Sequence, residues 1–211
     1  MKFKKEMLLL YAITDNREGD SLYRRVEEAL KGGVTMIQLR EKELDEESYI
    51  KKASLIRDLC HRYRVPLIIN DNLSVALKSG ADGVHLGADD MPVSKARELA
   101  GDDFIIGATA KTESRALAAE KDGADYLGVG AVFPSPTKKD AARVTPRQLR
   151  SICGSVSVPV VAIGGIDEKN IWELRGLGAA GAAVISAVFG APDIYRAAAS
   201  MKEKAKEVFD L

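Results

Sequence analysis

Cysteine, histidine and net charge are all scarce in this sequence, and each shortage excludes a class of protein. The chain has 211 residues, of which two are cysteine and two are histidine, and its 31 Lys and Arg equal its 31 Asp and Glu. Without net charge the chain lacks the general attraction on which nucleic-acid and anionic-membrane binding depend, so neither partner is expected. Any phosphate that it binds must be held by a local site.

Long apolar runs and paired cysteines are also missing. Cys60 and Cys153 lie far apart and without CxxC spacing. Isolated thiols are typical of a reducing compartment, so we expect them to be buried apolar fillers in a cytoplasmic protein. The apolar run 7–13 is too short for a secretory signal. No stretch approaches the ~20 apolar residues of a membrane span.

Short, β-rich apolar runs recur eight times and alternate with longer amphipathic stretches. This alternation predicts a parallel sheet covered by helices. Eight units without a linker fit a single (β/α)8 barrel domain over residues 1–211, whereas the alternative, a doubly wound sheet, lacks its GxGxxG after the first strand. The predicted strands are Leu8–Thr14, Met36–Leu39, Leu67–Asn70, Gly83–Leu86, Phe104–Gly107, Tyr126–Val129, Val160–Ile163 and Ala182–Ile185, and the clearest predicted helices are Glu46–Tyr63, Glu113–Asp122 and Glu168–Leu177.

Polar residues concentrate where these strands end, which is the face on which barrel enzymes place their sites. Gln38, Arg40 and Lys42 alternate at the end of the second strand, so an extended chain would present them on one side. Two cations and an amide suit an anion with several oxygens, such as a pyrophosphate. A solvated run of charges is the alternative interpretation.

Two carboxylates follow the third and fourth predicted strands. Asp71 comes directly after Asn70, and Asp90 follows the next strand along the chain. From neighbouring strand ends, the two carboxylates could bind Mg²⁺, which keeps waters and takes its remaining ligands from substrate phosphates. The alternative is that each aspartate caps the helix that follows it.

Two further groups of residues suited to anions follow the last three strands: a loop after the sixth strand, and a monophosphate site at the ends of the seventh and eighth. Residues 134–140 read Pro-Ser-Pro-Thr-Lys-Lys-Asp, and the pairs Gly164-Gly165 and Ile185-Ser186 end the seventh and eighth strands. Barrels commonly bind a phosphate there through backbone N–H groups, which glycine lets it approach closely. A polyphosphate site that faces a monophosphate site implies group transfer in which pyrophosphate leaves.

Together these stretches resemble the thiamine-phosphate synthase family over essentially the whole chain. The specific combination is Gln-Leu-Arg-Glu-Lys at 38–42, Asn-Asp at 70–71 and Thr-Lys-Lys-Asp at 137–140. The family has a (β/α)8 fold. Its members join hydroxymethylpyrimidine pyrophosphate to hydroxyethylthiazole phosphate and release pyrophosphate with Mg²⁺. The resemblance implies the same substrates and the same cofactor here.

The resemblance also implies a role for each site residue. Asp71 and Asp90 would hold Mg²⁺, and Arg40, Lys42 and Lys138 would stabilise the departing pyrophosphate. The residues implied in binding the pyrimidine pyrophosphate are Gln38, Leu39, Arg40, Glu41, Lys42, Asn70, Thr109 and Lys138. Those implied in binding the thiazole phosphate are Ser135, Pro136, Thr137, Gly165, Ile185 and Ser186.

Two positions depart from the family pattern. Thr109 stands where the family usually has serine, so its hydroxyl must replace the serine hydroxyl. Pro136 removes one backbone donor from the segment 134–140.

Two alternative functions are a thiazole tautomerase and a non-enzymatic phosphate-binding barrel. The tautomerase lacks a full pyrophosphate half, so the presence of Arg40 and Asp71 argues against it. Transfer to the thiazole nitrogen needs no general base, because that nitrogen has no proton to lose. We therefore expect neither histidine to act as a base, and we place His61 on a helix surface and His85 at the barrel mouth. The sequence is also compatible with a homo-oligomer.

Overall fold

The computed structural model describes residues 2–15, 22–134 and 143–209, in which eight strands alternate with helices. The strands are β1 (Leu10–Ile13), β2 (Met36–Leu39), β3 (Leu67–Asn70), β4 (Gly83–Leu86), β5 (Ile105–Thr109), β6 (Tyr126–Gly130), β7 (Val160–Ile163) and β8 (Gly181–Val184). The α-helices are α1 (Leu22–Lys31), α2 (Glu46–Arg62), α3 (Leu73–Ser79), α4 (Val93–Ala100), α5 (Glu113–Lys121), α6 (Pro146–Ser155), α7 (Ser186–Phe189) and α8 (Ile194–Val208), and two 3-10 helices cover Lys5–Leu8 and Ile171–Leu174.

The eight strands close into a parallel barrel in which each strand pairs with its neighbours in chain order. β8 returns to β1, with Ala182 opposite Leu10 and Ala183 opposite Tyr11. All carboxyl ends of the strands therefore meet at one face, here called the mouth, and all amino ends meet at the opposite face, here called the floor. The predicted (β/α)8 barrel is confirmed. The doubly wound alternative is wrong, because an open sheet would have two unpaired edges.

The predicted strands differ from the observed ones by at most two residues at either end. The largest extension is in β5, which was expected to stop at Gly107. Ala108 and Thr109 continue the ladder instead, opposite Leu127 and Gly128 of β6. Thr109 is therefore the last residue of a strand and its position is fixed by the sheet.

The predicted helix Glu168–Leu177 is wrong, since only the short 3-10 helix Ile171–Leu174 forms there. The Asp167 carboxylate accepts hydrogen bonds from the backbone N–H groups of Lys169 and Asn170, at 2.7 and 3.2 Å. Such local bonds from a side chain compete with the hydrogen bonds of an α-helix. The amphipathic spacing alone did not reveal this competition.

Both faces of the barrel wall are buried, which is why its strands are apolar almost without interruption. One core fills the barrel interior, where Tyr11 and Tyr126 pack among aliphatic residues such as Met36 and Ile68. A second core lies between the barrel and the helices, and each of the eight α-helices contributes buried residues to it. The side chains that could reach a ligand are thus those at the strand ends.

At the floor, two aspartates join the starts of neighbouring strands. Asp82, just before β4, accepts a hydrogen bond from the backbone N–H of Leu67 on β3 at 2.9 Å. The same carboxylate oxygen lies 2.8 Å from His61 Nε2 on α2. His61 is therefore on a helix, half exposed, as predicted, and it has a structural partner.

Asp125, just before β6, repeats this arrangement two strands further on. Its Oδ2 accepts a hydrogen bond from the backbone N–H of Ile106 on β5 at 2.7 Å. The same oxygen forms an ion pair with Arg97 of α4 at 2.7 Å. A strand start is again held to its neighbour by a carboxylate, and here the carboxylate is also neutralised by a cation.

Both cysteines are free thiols. Cys60 is buried, as expected, and Cys153 is half-buried. Among the helices of the described ranges, none is long and apolar enough to cross a membrane.

Candidate active site

The end of β2 brings an amide into the barrel and leaves two cations beyond it. Gln38 is buried within the strand, which stops at Leu39. Arg40 and Lys42 follow in the loop, beyond the end that was predicted for this strand, and their presentation on one side with Gln38 stays a prediction. Arg40 is half-buried and Lys42 is exposed. Neither cation forms an ion pair with another residue in the described part of the chain.

Two residues expected to bind the pyrimidine pyrophosphate keep their side chains away from the mouth. Leu39 packs in the core between the barrel and the helices. Its carbonyl accepts a hydrogen bond from Tyr49 Oη at 2.8 Å. Glu41 is paired with Lys52 Nζ of α2 at 2.8 Å, and its side chain is only 12% exposed. The side chains of Leu39 and Glu41 thus have partners within the protein, and the expectation that these two residues bind substrate stays a prediction.

The two predicted metal ligands lie close together at the mouth, near enough for the Asp90 carboxyl group to raise the pKa of Asp71. Desolvation, followed by the contact with Asp90 and its charge, raises the pKa of Asp71 to about 6. A hydrogen bond from Asn70 and the positive charge of Arg40 oppose this shift. Asp71, Asp90, Asn70 and Arg40 are thus one electrostatic cluster, formed by the ends of β2, β3 and β4.

The alternative role of these aspartates, as helix caps, is wrong. Asn72 caps α3, where its side chain accepts a hydrogen bond from the backbone N–H of Val75. Pro92 precedes α4, which has no side-chain cap. Neither carboxylate is therefore used to stabilise the helix that follows it.

The local backbone directs the two carboxylates toward each other. Asp71 has a left-handed conformation (φ 63°), which aspartate tolerates better than most residues, and its N–H donates to the carbonyl of His85 at 2.8 Å. Asp90 Oδ2 accepts a hydrogen bond from the backbone N–H of Gly87 at 2.6 Å. A Cβ at Gly87 would lie 2.9 Å from this oxygen, so glycine permits the approach.

The ends of β7 and β8 supply the other half of the mouth. Gly164 and Gly165 have φ of 101° and 67°, which glycine adopts without steric cost. A Cβ at Gly165 would lie 2.8 Å from the carbonyl oxygen of Phe133, so glycine at this position admits the close approach of a neighbouring backbone segment. Ile185 packs against the barrel interior, and the exposed Ser186 begins the short helix α7.

The segment between β6 and α6 has both of its described ends at the mouth. Phe133 N donates to the carbonyl of Gly164 at 3.0 Å, and Val144 N donates to the carbonyl of Ala131 at 2.9 Å. The predicted site residues Ser135, Pro136, Thr137 and Lys138 lie outside the described residues.

Sequence reasoning missed two buried tyrosines beneath the mouth. Tyr11 Oη lies 2.6 Å from Gln38 Nε2 and 2.9 Å from Tyr126 Oη. Tyr126 Oη lies 3.1 Å from His85 Nδ1, and His85 Nε2 lies 3.1 Å from Thr109 Oγ1. The available signal was a tyrosine inside an apolar strand, because a buried hydroxyl needs a partner.

Burial determines the protonation of this group of side chains. Desolvation lowers the pKa of His85 to about 4, so its ring is neutral at pH 7. Desolvation also raises the pKa of Tyr11 and Tyr126 well above the ordinary value, so both remain protonated. The predicted place of His85, at the barrel mouth, agrees with its half-buried position between Thr109 and Tyr126.

A comparison with protein families identifies the family to which the chain belongs. A family model described as "Thiamine monophosphate synthase" matches residues 10–188, from the start of β1 into α7. The chain belongs to this family. The resemblance noted from the sequence is confirmed, and the matched range contains all the strand ends described above.

Curated relatives and a solved structure extend this membership of the thiamine monophosphate synthase family. Thiamine-phosphate synthase from Clostridium acetobutylicum is 45% identical over 96% of this chain and 93% of its own length. Thiamine-phosphate synthase 2 from Streptococcus pneumoniae serotype 4 is 46% identical over 90% of this chain and 91% of its own length. The structure of thiamine phosphate pyrophosphorylase from Pyrococcus furiosus superposes with a TM-score of 0.90 at 43% identity, covering 97% of this chain and 98% of that one.

Proposed function

We propose that this chain is a thiamine-phosphate synthase. It would join 4-amino-2-methyl-5-hydroxymethylpyrimidine pyrophosphate to 4-methyl-5-(2-hydroxyethyl)thiazole phosphate, giving thiamine phosphate and pyrophosphate. Family membership supports the reaction. The observation that carries the proposal is the contact between Asp71 and Asp90 beside Arg40, because a carboxylate pair next to a cation suits a metal-bound pyrophosphate.

The residues present fit Mg²⁺ as the cofactor. Asp71 and Asp90 offer the hard oxygen ligands that this ion prefers, and a cation between them would relieve the repulsion of two carboxylates. Within the described ranges no cluster of three or more His, Cys, Asp or Glu side chains is available to a metal. The remaining ligands would therefore be water and pyrophosphate oxygens. When bound, Mg²⁺ would neutralise charge on the leaving pyrophosphate.

The cations of the mouth would do the electrostatic work of the reaction. The aminopyrimidine can release electron density toward its exocyclic methylene, so the bond between this carbon and the pyrophosphate oxygen breaks first. Arg40 and Lys42, with Lys138, would stabilise the negative charge that develops on the departing oxygen. The thiazole nitrogen then bonds to the methylene carbon and loses no proton, so neutral His85 is not required as a base.

The ends of β7 and β8 would hold the second substrate. Gly165, Ile185 and Ser186 lie at the mouth beside the described ends of the segment that carries Ser135, Pro136 and Thr137. Backbone N–H groups at the start of a helix attract a phosphate. This arrangement would point the thiazole ring toward the half of the mouth formed by β2, β3 and β4.

A direct assay tests the proposal. Purified protein is incubated with both substrates and Mg²⁺, and thiamine phosphate and pyrophosphate are measured. We expect equal amounts of the two products, formed only when both substrates are present. Arg40→Met, purified in the same way, is the matched control, because a contaminating enzyme would leave equal activity in both preparations. Absence of both products would overturn the proposal, and isomerisation of a thiazole phosphate alone would indicate a tautomerase.

A further inference from the structure

Five polar side chains form one continuous hydrogen-bonded chain beneath the mouth. It starts at Gln38 on β2, passes through Tyr11, Tyr126 and His85, and ends at Thr109 on β5. Its four donor–acceptor distances lie between 2.6 and 3.1 Å. The chain crosses the barrel interior and connects two strands that are not neighbours in the sheet.

The barrel interior is built around these rings. Gly107 of β5 has no Cβ, and the ring of Tyr126 occupies the space that a Cβ would need. A Cβ at Gly128 of β6 would lie 3.0 Å from His85 Cε1. Tyr126 also stacks on Phe3, with 5.7 Å between ring centroids. Because packing holds the rings in place, removing a hydroxyl group tests the hydrogen bonds alone.

The hydrogen bonds of this chain run in one direction. Gln38 Nε2 carries only donors, so it donates to Tyr11 Oη, and the Tyr11 proton then goes to Tyr126. Tyr126 in turn donates to His85 Nδ1. The reverse direction would leave the buried Tyr11 proton without an acceptor, which is costly.

The direction of the last hydrogen bond, between His85 and Thr109, follows from the donor and acceptor capacity of the imidazole ring. A neutral ring has one acceptor and one donor, so a proton accepted at Nδ1 leaves Nε2–H to donate to Thr109 Oγ1. The Thr109 oxygen is then occupied as an acceptor. Its own proton is left to donate outside the chain, where Thr109 ends β5 at the mouth.

The near end of the hydrogen-bonded chain is the side-chain amide of Gln38, whose nitrogen donates to Tyr11. No buried side-chain oxygen in residues 2–15, 22–134 and 143–209 lacks a hydrogen-bond partner. Gln38 Oε1 accepts no hydrogen bond within these ranges, so this oxygen must reach accessible space. An acceptor and a donor therefore stand at the two ends of the chain.

We propose that Tyr11, Tyr126 and His85 are positioning residues, whose one-way chain presents Gln38 as an acceptor and Thr109 as a donor to the pyrimidine pyrophosphate. Gln38 would meet an amino N–H, and Thr109 would meet a ring nitrogen or a pyrophosphate oxygen. The identity of this ligand rests on the proposed function. The direction of the hydrogen bonds from Gln38 to Thr109 does not depend on that function.

Tyr126→Phe tests the role of the chain, because it removes one hydroxyl in the middle and keeps the ring. We expect about tenfold weaker binding of pyrimidine pyrophosphate in calorimetric titration, the factor that one hydrogen bond is typically worth, and unchanged binding of thiazole phosphate. Tyr63→Phe is the control, since this half-buried tyrosine follows α2 at the floor. Equal losses for both ligands, in step with lost thermal stability, would overturn the proposal.

A double-mutant cycle tests whether Tyr126 acts through Thr109. Thr109→Ser keeps the hydroxyl and should bind like the wild type, whereas Thr109→Val keeps the shape and loses the donor. In the Thr109→Val background, Tyr126→Phe should weaken binding by no more than about twofold further, because coupled residues are not additive. Additive losses would overturn the proposal.

The tautomer of His85 gives a readout that does not depend on the function. Nitrogen-15 NMR distinguishes the two tautomers, and His61→Gln assigns the signals, since the chain has only two histidines. We expect the Nε2–H tautomer in the free protein, and the Nδ1–H tautomer would overturn the direction of the chain. If the wild type binds neither substrate, the proposed function fails, while this measurement still decides the direction.

Discussion

The floor and the mouth of the barrel both carry aspartates at strand ends, and the protein treats the two sets in opposite ways. At the floor, Asp82 and Asp125 each accept a backbone N–H from a neighbouring strand and lie against His61 or Arg97. At the mouth, the carboxyl groups of Asp71 and Asp90 face each other.

This difference distinguishes aspartates that stabilise the fold from aspartates that belong to the candidate active site. A carboxylate that accepts a backbone N–H and has a second side-chain partner stabilises the fold, whereas two carboxylates in contact repel each other until a cation binds. Groups with perturbed ionisation are typical of functional sites. The same residue type at strand ends should therefore respond to substitution in opposite ways at the two faces.

The largest expected effect is the loss of turnover in Asp71→Asn. A neutral amide holds Mg²⁺ less tightly, so turnover should fall by about a hundredfold or more, since a metal contributes several kcal/mol to catalysis. Thermal stability should be unchanged or higher, because one of two repelling charges is gone. Turnover and melting temperature are measured on the same preparation.

The matched control is Asp89→Asn, which removes an exposed charge next to Asp90 and should keep both properties. A wild-type rate in Asp71→Asn without added metal would refute the assignment of Asp71 as a ligand. A large loss of stability in this variant would remove the contrast with the floor.

Asp125→Ala should have the opposite effects to Asp71→Asn: it should lower stability and leave substrate binding unchanged. It leaves the N–H of Ile106 without its acceptor and Arg97 without its counter-ion, so the free energy of unfolding should fall by about 2–3 kcal/mol. Dissociation constants for both substrates should stay at the wild-type value, because Asp125 lies at the floor. Urea unfolding and calorimetric titration measure the two quantities. Asp122→Ala, at an exposed neighbouring position, is the control, and weaker substrate binding in Asp125→Ala would contradict the separation of the two faces.

The contrast between local and long-range signals also explains what could be predicted from the sequence. The bounds of β3 and β4 are predicted to the residue, since each apolar run is flanked by polar or turn residues that end it. The contact between Asp71 and Asp90 is predicted because parallel strands bring their carboxyl ends to one face. Both results follow from patterns within about twenty residues.

The hydrogen-bonded chain that contains Tyr11 and Tyr126 could not be predicted in the same way. Tyr11 and Tyr126 are separated by 115 residues, and their contact depends on the register around the whole barrel and on the space left by Gly107.

Lys42→Ala tests whether the two substrates bind to separate halves of the mouth. Lys42 is exposed and follows β2, so its loss should weaken binding of pyrimidine pyrophosphate by about tenfold, a moderate effect because solvent screens an exposed charge. Binding of thiazole phosphate should change by less than about twofold, since that half is formed by β7 and β8. Calorimetric titration of each ligand measures both values. Lys51→Ala on the surface of α2 is the control, and equal losses for the two ligands would show that the mouth is not divided.

The smallest expected effect is a pH dependence of stability that originates at the mouth. The pKa of Asp71 in the folded protein, about 6, lies above its ordinary value, so the folded state keeps a proton that the unfolded state loses. Stability from this group is therefore present at low pH and decreases as pH rises through the window up to about 6. Asp71→Asn does not titrate, so its melting temperature relative to the wild type should increase between pH 4.5 and 6.5. Mg²⁺ binds the ionised carboxylates and should reduce this difference above pH 6 by stabilising the wild type alone. If the difference in melting temperature between the two proteins stays constant across this range, the Asp71–Asp90 contact does not destabilise the folded state.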